Sequence, residues 1–329
     1  MFTKRSLLLA TKSWTIPIIE LLYEDIRIGT VAAVKCLQTA LIGPSKEDGA
    51  GNRNLYGVGR GWWTKRFDFL PQSQIEEKAC FAYLPSIVAH FPNLTILNLA
   101  DYSLPIRPIP ASILPNLRFV STRTDRSNPI YFPNIHTLII HLTTDIGQTY
   151  PNLTFLEMHI IHRPIIAPSA FSRYIFPQLR HFSARYGPSM RECMDNIVTH
   201  FLETHGPQLV SLALGSVEDV RKVNAMLQST PHIKELTLNS SLHWALLHCL
   251  APVTHLGLVH FEGVVDLTGL TLAQLPKLEA IQLVDTAIKD LVLFADPGDI
   301  CLDISCPELR EKVKVEDVFG QDMPFIVEL

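Results

Sequence analysis

Apolar and polar positions along this chain fall into one recurring phrase: a proline, then apolar residues two, five and seven positions later. The phrase begins at Pro92, Pro115, Pro133, Pro151, Pro177, Pro207, Pro231, Pro252 and Pro276. Around Pro252 the apolar positions (Val253, Leu256, Leu258) sit one residue closer to the proline. The last two apolar positions alternate with polar ones, as in a strand buried on one face. A proline just before a strand costs no ladder hydrogen bond. The phrase therefore predicts strands centred near residues 97, 120, 138, 156, 182, 212, 236, 256 and 281. Two earlier stretches, Tyr23/Ile26/Ile28 and Thr64/Phe67/Phe69, fit it more loosely.

One such unit cannot bury its apolar face alone, whereas stacked units share a continuous core and pair their strands in parallel. The expected fold is α/β: a leucine-rich-repeat-like solenoid, a horseshoe with one parallel sheet and with helices and irregular segments on the convex side. Residues 189–204 place Met190, Cys193, Met194, Ile197, Val198, Phe201 and Leu202 on one stripe, which predicts an amphipathic helix. Ser216, Val217, Glu218 and Asp219 resemble a capping box and predict a second helix through Val220, Val223 and Leu227. A third, shorter helix is predicted over Ser241–Leu250. The two shortest intervals, from Pro115 to Pro133 and from Pro133 to Pro151, leave room only for extended or 3₁₀ connections. The chain thus reads as a cap over 1–22, irregular first repeats over 23–90 with a mobile Gly-rich loop near 43–61, the solenoid over 91–298, and an acidic C-terminal cap or tail over 299–329.

Composition narrows the function classes. The formal net charge is −4 over 329 residues, against the basic balance expected of a nucleic-acid or membrane-surface binder. No stretch approaches the roughly 20 apolar residues of a membrane span. The six cysteines, Cys36, Cys80, Cys193, Cys249, Cys301 and Cys306, follow no disulfide or zinc spacing, as expected of free thiols in the cytoplasm or nucleus. The 13 histidines include His159/His162, His200/His205 and His243/His248, none with a carboxylate or cysteine at ligand spacing. The run Gly57–Gly61 has no strand–turn–helix around it to cradle a phosphate. No motif proposes catalysis, a metal or a cofactor, so the expected class is a non-enzymatic binding protein.

Residues 5–28 carry a resemblance: Leu7, Leu8 and Leu9, then Lys12, Ser13 and Trp14, then Leu21, Leu22 and Tyr23. They look like the second half of an F-box running into its first repeat strand. With Trp62, Trp63, Phe67, Phe69 and the stretch Phe91–Leu99, they make the chain similar to fungal F-box/leucine-rich-repeat-like proteins. The resemblance implies a substrate-recognition subunit of a cullin-RING ubiquitin ligase, its F-box on a Skp-type adaptor and its repeats on the substrate. The Leu-Pro-x-Glu-Ile segment and first helix that open an F-box have no counterpart here, so adaptor binding is expected to be weak or absent. The other reading is a stand-alone repeat scaffold or inhibitor, with residues 5–22 acting as a cap.

Within each repeat the residues between and just beyond the strand leucines point away from the core, onto the concave face. Just beyond the strand, four consecutive repeats carry Arg123, His141, His159 and Arg185. Beside that column run Phe119, Phe155, Glu157 and His181. Arginine next to exposed aromatics is what binding hot spots use, so these eight positions are the candidate surface for a protein partner, preferably an acidic or phosphorylated segment. Glu157 is expected to neutralise part of it.

Overall fold

A computed structural model describes residues 23–42, 61–70, 80, 83–99, 114–123, 133–141, 149–160, 175–187, 190–259, 264–267, 269–271, 273–284, 301–303 and 313–316. The chain divides into two compact units, Met1–Leu153 with Tyr174–Pro177, and Thr154–Arg173 with Gln178–Leu329.

In the first unit, β1 (Asp25–Ile28), β2 (Arg66–Phe69), β3 (Ile96–Asn98), β4 (Phe119–Arg123) and β5 (Thr137–His141) form a parallel ladder in chain order. Its register stacks the repeat phrase on itself, with Ile26, Phe67, Leu97, Val120 and Leu138 opposite one another. Phe67, Leu97 and Val120 are fully buried, so the two looser matches, around residues 26 and 67, are true members of the ladder. Helix α1 (Val31–Ile42), which the repeat phrase does not announce, follows β1. A short helix α2 (Leu84–Val88) precedes β3, with Pro85 in its first turn where a missing N–H costs nothing. The loop expected over 43–61 lies outside the described residues except for Gly61, as do the two connections expected to be extended or 3₁₀.

An amide ladder locks this unit's successive turns. Asn93 donates from Nδ2 to the Trp62 carbonyl at 2.8 Å, Asn116 to the Pro92 carbonyl at 3.1 Å, Asn134 to Pro115 at 3.2 Å and Asn152 to Pro133 at 3.1 Å. A proline carbonyl at a turn has no strand neighbour to bond, so the asparagine following the next proline satisfies it. Each repeat thereby grips the one before.

In the second unit, β6 (Phe155–Ile160), β7 (His181–Tyr186), β8 (Ser211–Leu214), β9 (Glu235–Asn239), β10 (His255–Val259), β12 (Ala280–Leu283) and β14 (Lys314–Glu316) pair in parallel in that order. Leu156, Phe182, Leu212, Leu236, Leu256, Ile281 and Val315 share one register row. A separate two-stranded parallel pair joins β11 (Val264–Asp266) to β13 (Cys301–Asp303). All nine strands expected from the repeat phrase are present and contain their expected central positions, six of them in this unit. Strands β7, β8, β9, β10 and β12 are each entered by a shared acceptor: the Arg180 carbonyl, for one, takes the N–H groups of Val210 at 2.8 Å and Ser211 at 3.0 Å, and the Lys234 carbonyl takes those of Thr254 and His255.

Helix α3 (Arg191–His205) is the expected amphipathic helix. It buries Met194, Ile197, Val198, Phe201 and Leu202, and Phe201 stacks on Phe182 of β7 with ring centroids 4.3 Å apart. Gly206 ends it where a Cβ would lie 2.2 Å from the Ser229 carbonyl oxygen, an approach only glycine permits. Helix α4 (Val220–Gln228) starts at Asp219, whose carboxylate accepts from the Arg221 N–H at 2.9 Å. The cap is thus Asp219 and not Ser216, because the Ser216 hydroxyl is already engaged, accepting from the Tyr186 N–H at 3.1 Å.

The third expected helix does not form. Residues 241–250 hold a single 3₁₀ turn, Trp244–Leu246. Side chains capture the backbone groups a helix would need. Asn239 accepts from the Ser241 N–H, while Asn224 of α4 donates to the Leu246 carbonyl at 2.8 Å and accepts from the His248 N–H at 2.7 Å. Both units are α/β, and the parallel, in-register ladder makes the fold a leucine-rich-repeat-like solenoid. Among the described residues no helix is long and apolar enough to cross a membrane.

Candidate functional site

Because strand side chains alternate, β6 and β7 send one set inward to α3 and the other to the opposite face of the sheet. The outward set is matched by register: Phe155 with His181, Glu157 with Ser183, and His159 with Arg185. These residues line a groove of about 520 Å³ in the second unit.

At one end the Phe155 and His181 rings stack, centroids 6.1 Å apart. Two residues along, Glu157 is only 8% exposed, although it lies on the outward face. Its Oε1 lies 2.7 Å from His159 Nε2 and accepts from Arg185 Nε at 2.8 Å. A carboxylate so sheltered is costly unless paired, and here two neighbouring side chains share one oxygen. In return Glu157 fixes where those side chains stand. The Arg185 side chain remains 49% exposed.

The floor next to this cluster is built from small residues. Ser183, Ala213 and Gly215 leave the backbone nearly bare, and Thr237 and Val259 rise beyond them. At Gly215 a Cβ would lie 2.5 Å from Cγ2 of Val259, so the valine methyl occupies the space a side chain would need. The groove thus has one polar wall (Glu157, His159, Arg185), one more apolar wall (Val259, Val284) and a low floor.

Tyr186 closes the groove beside Arg185 and ties it to the helices. Its hydroxyl donates to Asp195 Oδ1 at 2.5 Å, and Lys222 Nζ donates to Asp195 Oδ2 at 2.7 Å. Asp195 is 4% exposed. Burial, then the hydrogen bond to Asp195, raises the Tyr186 pKa well above the ordinary phenol range. The hydrogen bond to Asp195 likewise raises that of Lys222.

Of the eight candidate positions, Phe155, Glu157, His159, His181 and Arg185 meet in this groove. The other three lie in the first unit, where Arg123 and His141 are register partners on β4 and β5 and Phe119 is half-buried on β4. Of the F-box-like positions, Leu7, Leu8, Leu9, Trp14, Leu21 and Leu22 lie outside the described residues, and Tyr23 begins them. The repeat phrase gave no sign of Tyr186 and Asp195. A polar residue within the apolar stripe of α3 was the available signal. Nor did it single out the asparagine after each early proline, although that residue recurs at Asn93, Asn116, Asn134 and Asn152. Among the described residues no group of three or more His, Cys, Asp or Glu side chains is placed to hold a metal ion.

No family model matches the chain, and no curated protein does. Among solved structures it is similar to the leucine-rich repeat-containing protein LegL7 from Legionella pneumophila, at 12% identity over 80% of this chain and 77% of that one, with a TM-score of 0.39. It is also similar to a chain of a TLR13–ssRNA13 complex, at 12% identity over 78% of this chain, with a TM-score of 0.35. It spans 47% of that second chain.

Proposed function

We propose that this chain is a non-enzymatic protein-interaction module and that the groove on β6–β9 receives an extended segment of a partner protein. The observation that carries this reading is the sheltered Glu157, which holds Arg185 and His159 in place beside a floor bared by Ala213 and Gly215. An arginine held in advance loses less entropy on binding, and its fork suits a carboxylate or phosphate. The bare floor admits the partner's backbone, and the stacked Phe155–His181 pair offers an apolar anchor. Glu157 neutralises one positive charge, so the groove suits a single acidic group and not an acidic run. Arg123, His141 and Phe119 of the first unit are proposed as further partner-contacting positions.

A positional-scanning peptide library on the purified chain tests this reading. The parent should select an acidic or phosphorylated position, and Ala213→Phe, which fills the floor, should abolish selection while leaving the melting temperature unchanged. Equal selection by both proteins would place binding elsewhere.

The likeness of residues 5–28 to half an F-box supports a finer reading, a substrate-recognition subunit of a cullin-RING ubiquitin ligase in the cytoplasm or nucleus. A two-component titration with a Skp-type adaptor separates it from the stand-alone scaffold or inhibitor. Nanomolar affinity would support the ligase reading, and the absence of binding would favour the scaffold or inhibitor.

A further inference from the structure

A second groove, of about 480 Å³, lies in the first unit where the chain enters its strands. Its central feature is the turn Gly61–Trp62–Trp63–Thr64, pinned at three points. The Thr64 N–H donates to the Gly61 carbonyl at 3.2 Å. Asn93 donates to the Trp62 carbonyl at 2.8 Å. Gly61 itself is packed so closely that a Cβ would lie 2.2 Å from the His90 carbonyl oxygen. On this fixed turn the Trp62 side chain is 45% exposed, an unusual position for the largest apolar side chain. A large aromatic on rigid backbone, open to solvent, is the usual anchor of an interface.

The rest of the lining is rich in hydrogen-bond donors: Lys65, Arg118, and the amides of Asn93 and Asn116. Lys65 pairs with Glu24 at 2.8 Å, but the two side chains are 62% and 40% exposed, so the pair is weak and exchangeable. Arg118 makes only long bonds, 3.3–3.5 Å, to the carbonyls of Pro115, Leu117 and Asn134. Its charge meets no carboxylate among the described residues. Lys65, Thr95 and Arg118 stand at equivalent positions before β2, β3 and β4, so Lys65 and Arg118 are two strand spacings apart, about 9.6 Å.

From this geometry we infer that the Trp62 groove is a docking site for a proline-rich segment in the polyproline II conformation. Such a segment has carbonyl acceptors and no proline N–H donors, the complement of a donor-rich wall. Its flat rings pack against an indole, and being extended beforehand it loses little entropy. Its turn of three residues advances about 9.3 Å, so equivalent carbonyls fall opposite Lys65 and Arg118. Single-stranded nucleic acid also stacks on tryptophan, but it requires a basic track. Here Glu24 sits among two cations, and the whole chain carries a net charge of −4.

The test titrates the full chain with capped decaproline and follows tryptophan emission, with a Gly/Ser decapeptide and oligo(dT) of ten nucleotides as controls. Decaproline should give a saturable change, and the other two none. Trp62→Ala should weaken decaproline binding about tenfold or more, the scale of a hot-spot loss, with an unchanged melt. Arg118→Ala should weaken it several-fold, a variant that does not depend on the turn. No saturable change with the parent, or binding indifferent to both substitutions, overturns the inference. So does oligo(dT) binding in place of decaproline.

Discussion

Tyr186, at the edge of the β6–β9 groove, and Asp195, on the helix behind it, share a hydrogen bond of 2.5 Å between hydroxyl and carboxylate. Asp195 also receives Lys222 of α4, so one buried carboxylate joins the sheet and both helices. Asp195→Ala leaves a buried hydroxyl without its acceptor and an ammonium without its counter-charge. Its expected cost is about 3 kcal/mol, the scale of breaking a buried pair, read from urea denaturation. Asp195→Ala melting like the parent would show that the network contributes nothing.

The same network sets an alkaline limit. Tyr186 and Lys222 both keep their protons to higher pH in the folded chain than their ordinary values. Above about pH 10 the unfolded chain releases these protons first, so stability is fully present below that pH and falls as pH rises past it. Tyr186→Phe removes the tyrosine contribution. Its stability should therefore fall less steeply between pH 10 and 11.5 than that of the parent, as followed by circular dichroism melts. Parallel slopes would contradict the assignment.

Leu212 is the third of seven residues in the second unit's inward row, between Phe182 and Leu236, and is fully buried. Leu212→Ala should cost about 2–5 kcal/mol, and Leu212→Asp should unfold the unit, because an isolated buried charge costs still more. Neighbouring repeats depend on it most, since solenoid contacts are nearest-neighbour. Hydrogen exchange should show protection lost first in β7, β8 and β9. Protection retained there would place Leu212 outside the core.

The asparagine ladder offers a separate test. Asn116→Ala removes one bond to the Pro92 carbonyl and should cost about 1 kcal/mol. Asn93→Ala should cost a similar amount and also release the Trp62 turn, shifting tryptophan emission. Equal emission in the two variants would show that Asn93 does not position Trp62.

The ladder was legible in the sequence because proline and leucine recur at positions that every repeat must fill alike. Phe67 and Phe69 were legible only loosely, since aromatic rings replace the leucines there. The helix expected over 241–250 was misread because Asn224 arrives from another segment, which a local pattern does not register, and because Asn239, two residues before Ser241, takes the backbone N–H there into a turn. The site was half legible. Register follows from the repeat, so the meeting of Phe155 with His181 and of His159 with Arg185 could be foreseen. The burial of Glu157 and the bareness at Gly215 could not, because each depends on the neighbours' side chains, Arg185 for one and Val259 for the other.

The central claim is that Glu157 holds Arg185 ready for a partner's anionic group. Calorimetric titration of a library-selected acidic peptide against the parent, Arg185→Ala and Glu157→Gln tests it most directly. The account predicts that Arg185→Ala weakens binding about tenfold or more and that Glu157→Gln weakens it several-fold, because arginine loses its fixed position. If Glu157→Gln instead tightens binding, the carboxylate only repels the ligand. If neither change matters, the groove is not where the partner binds.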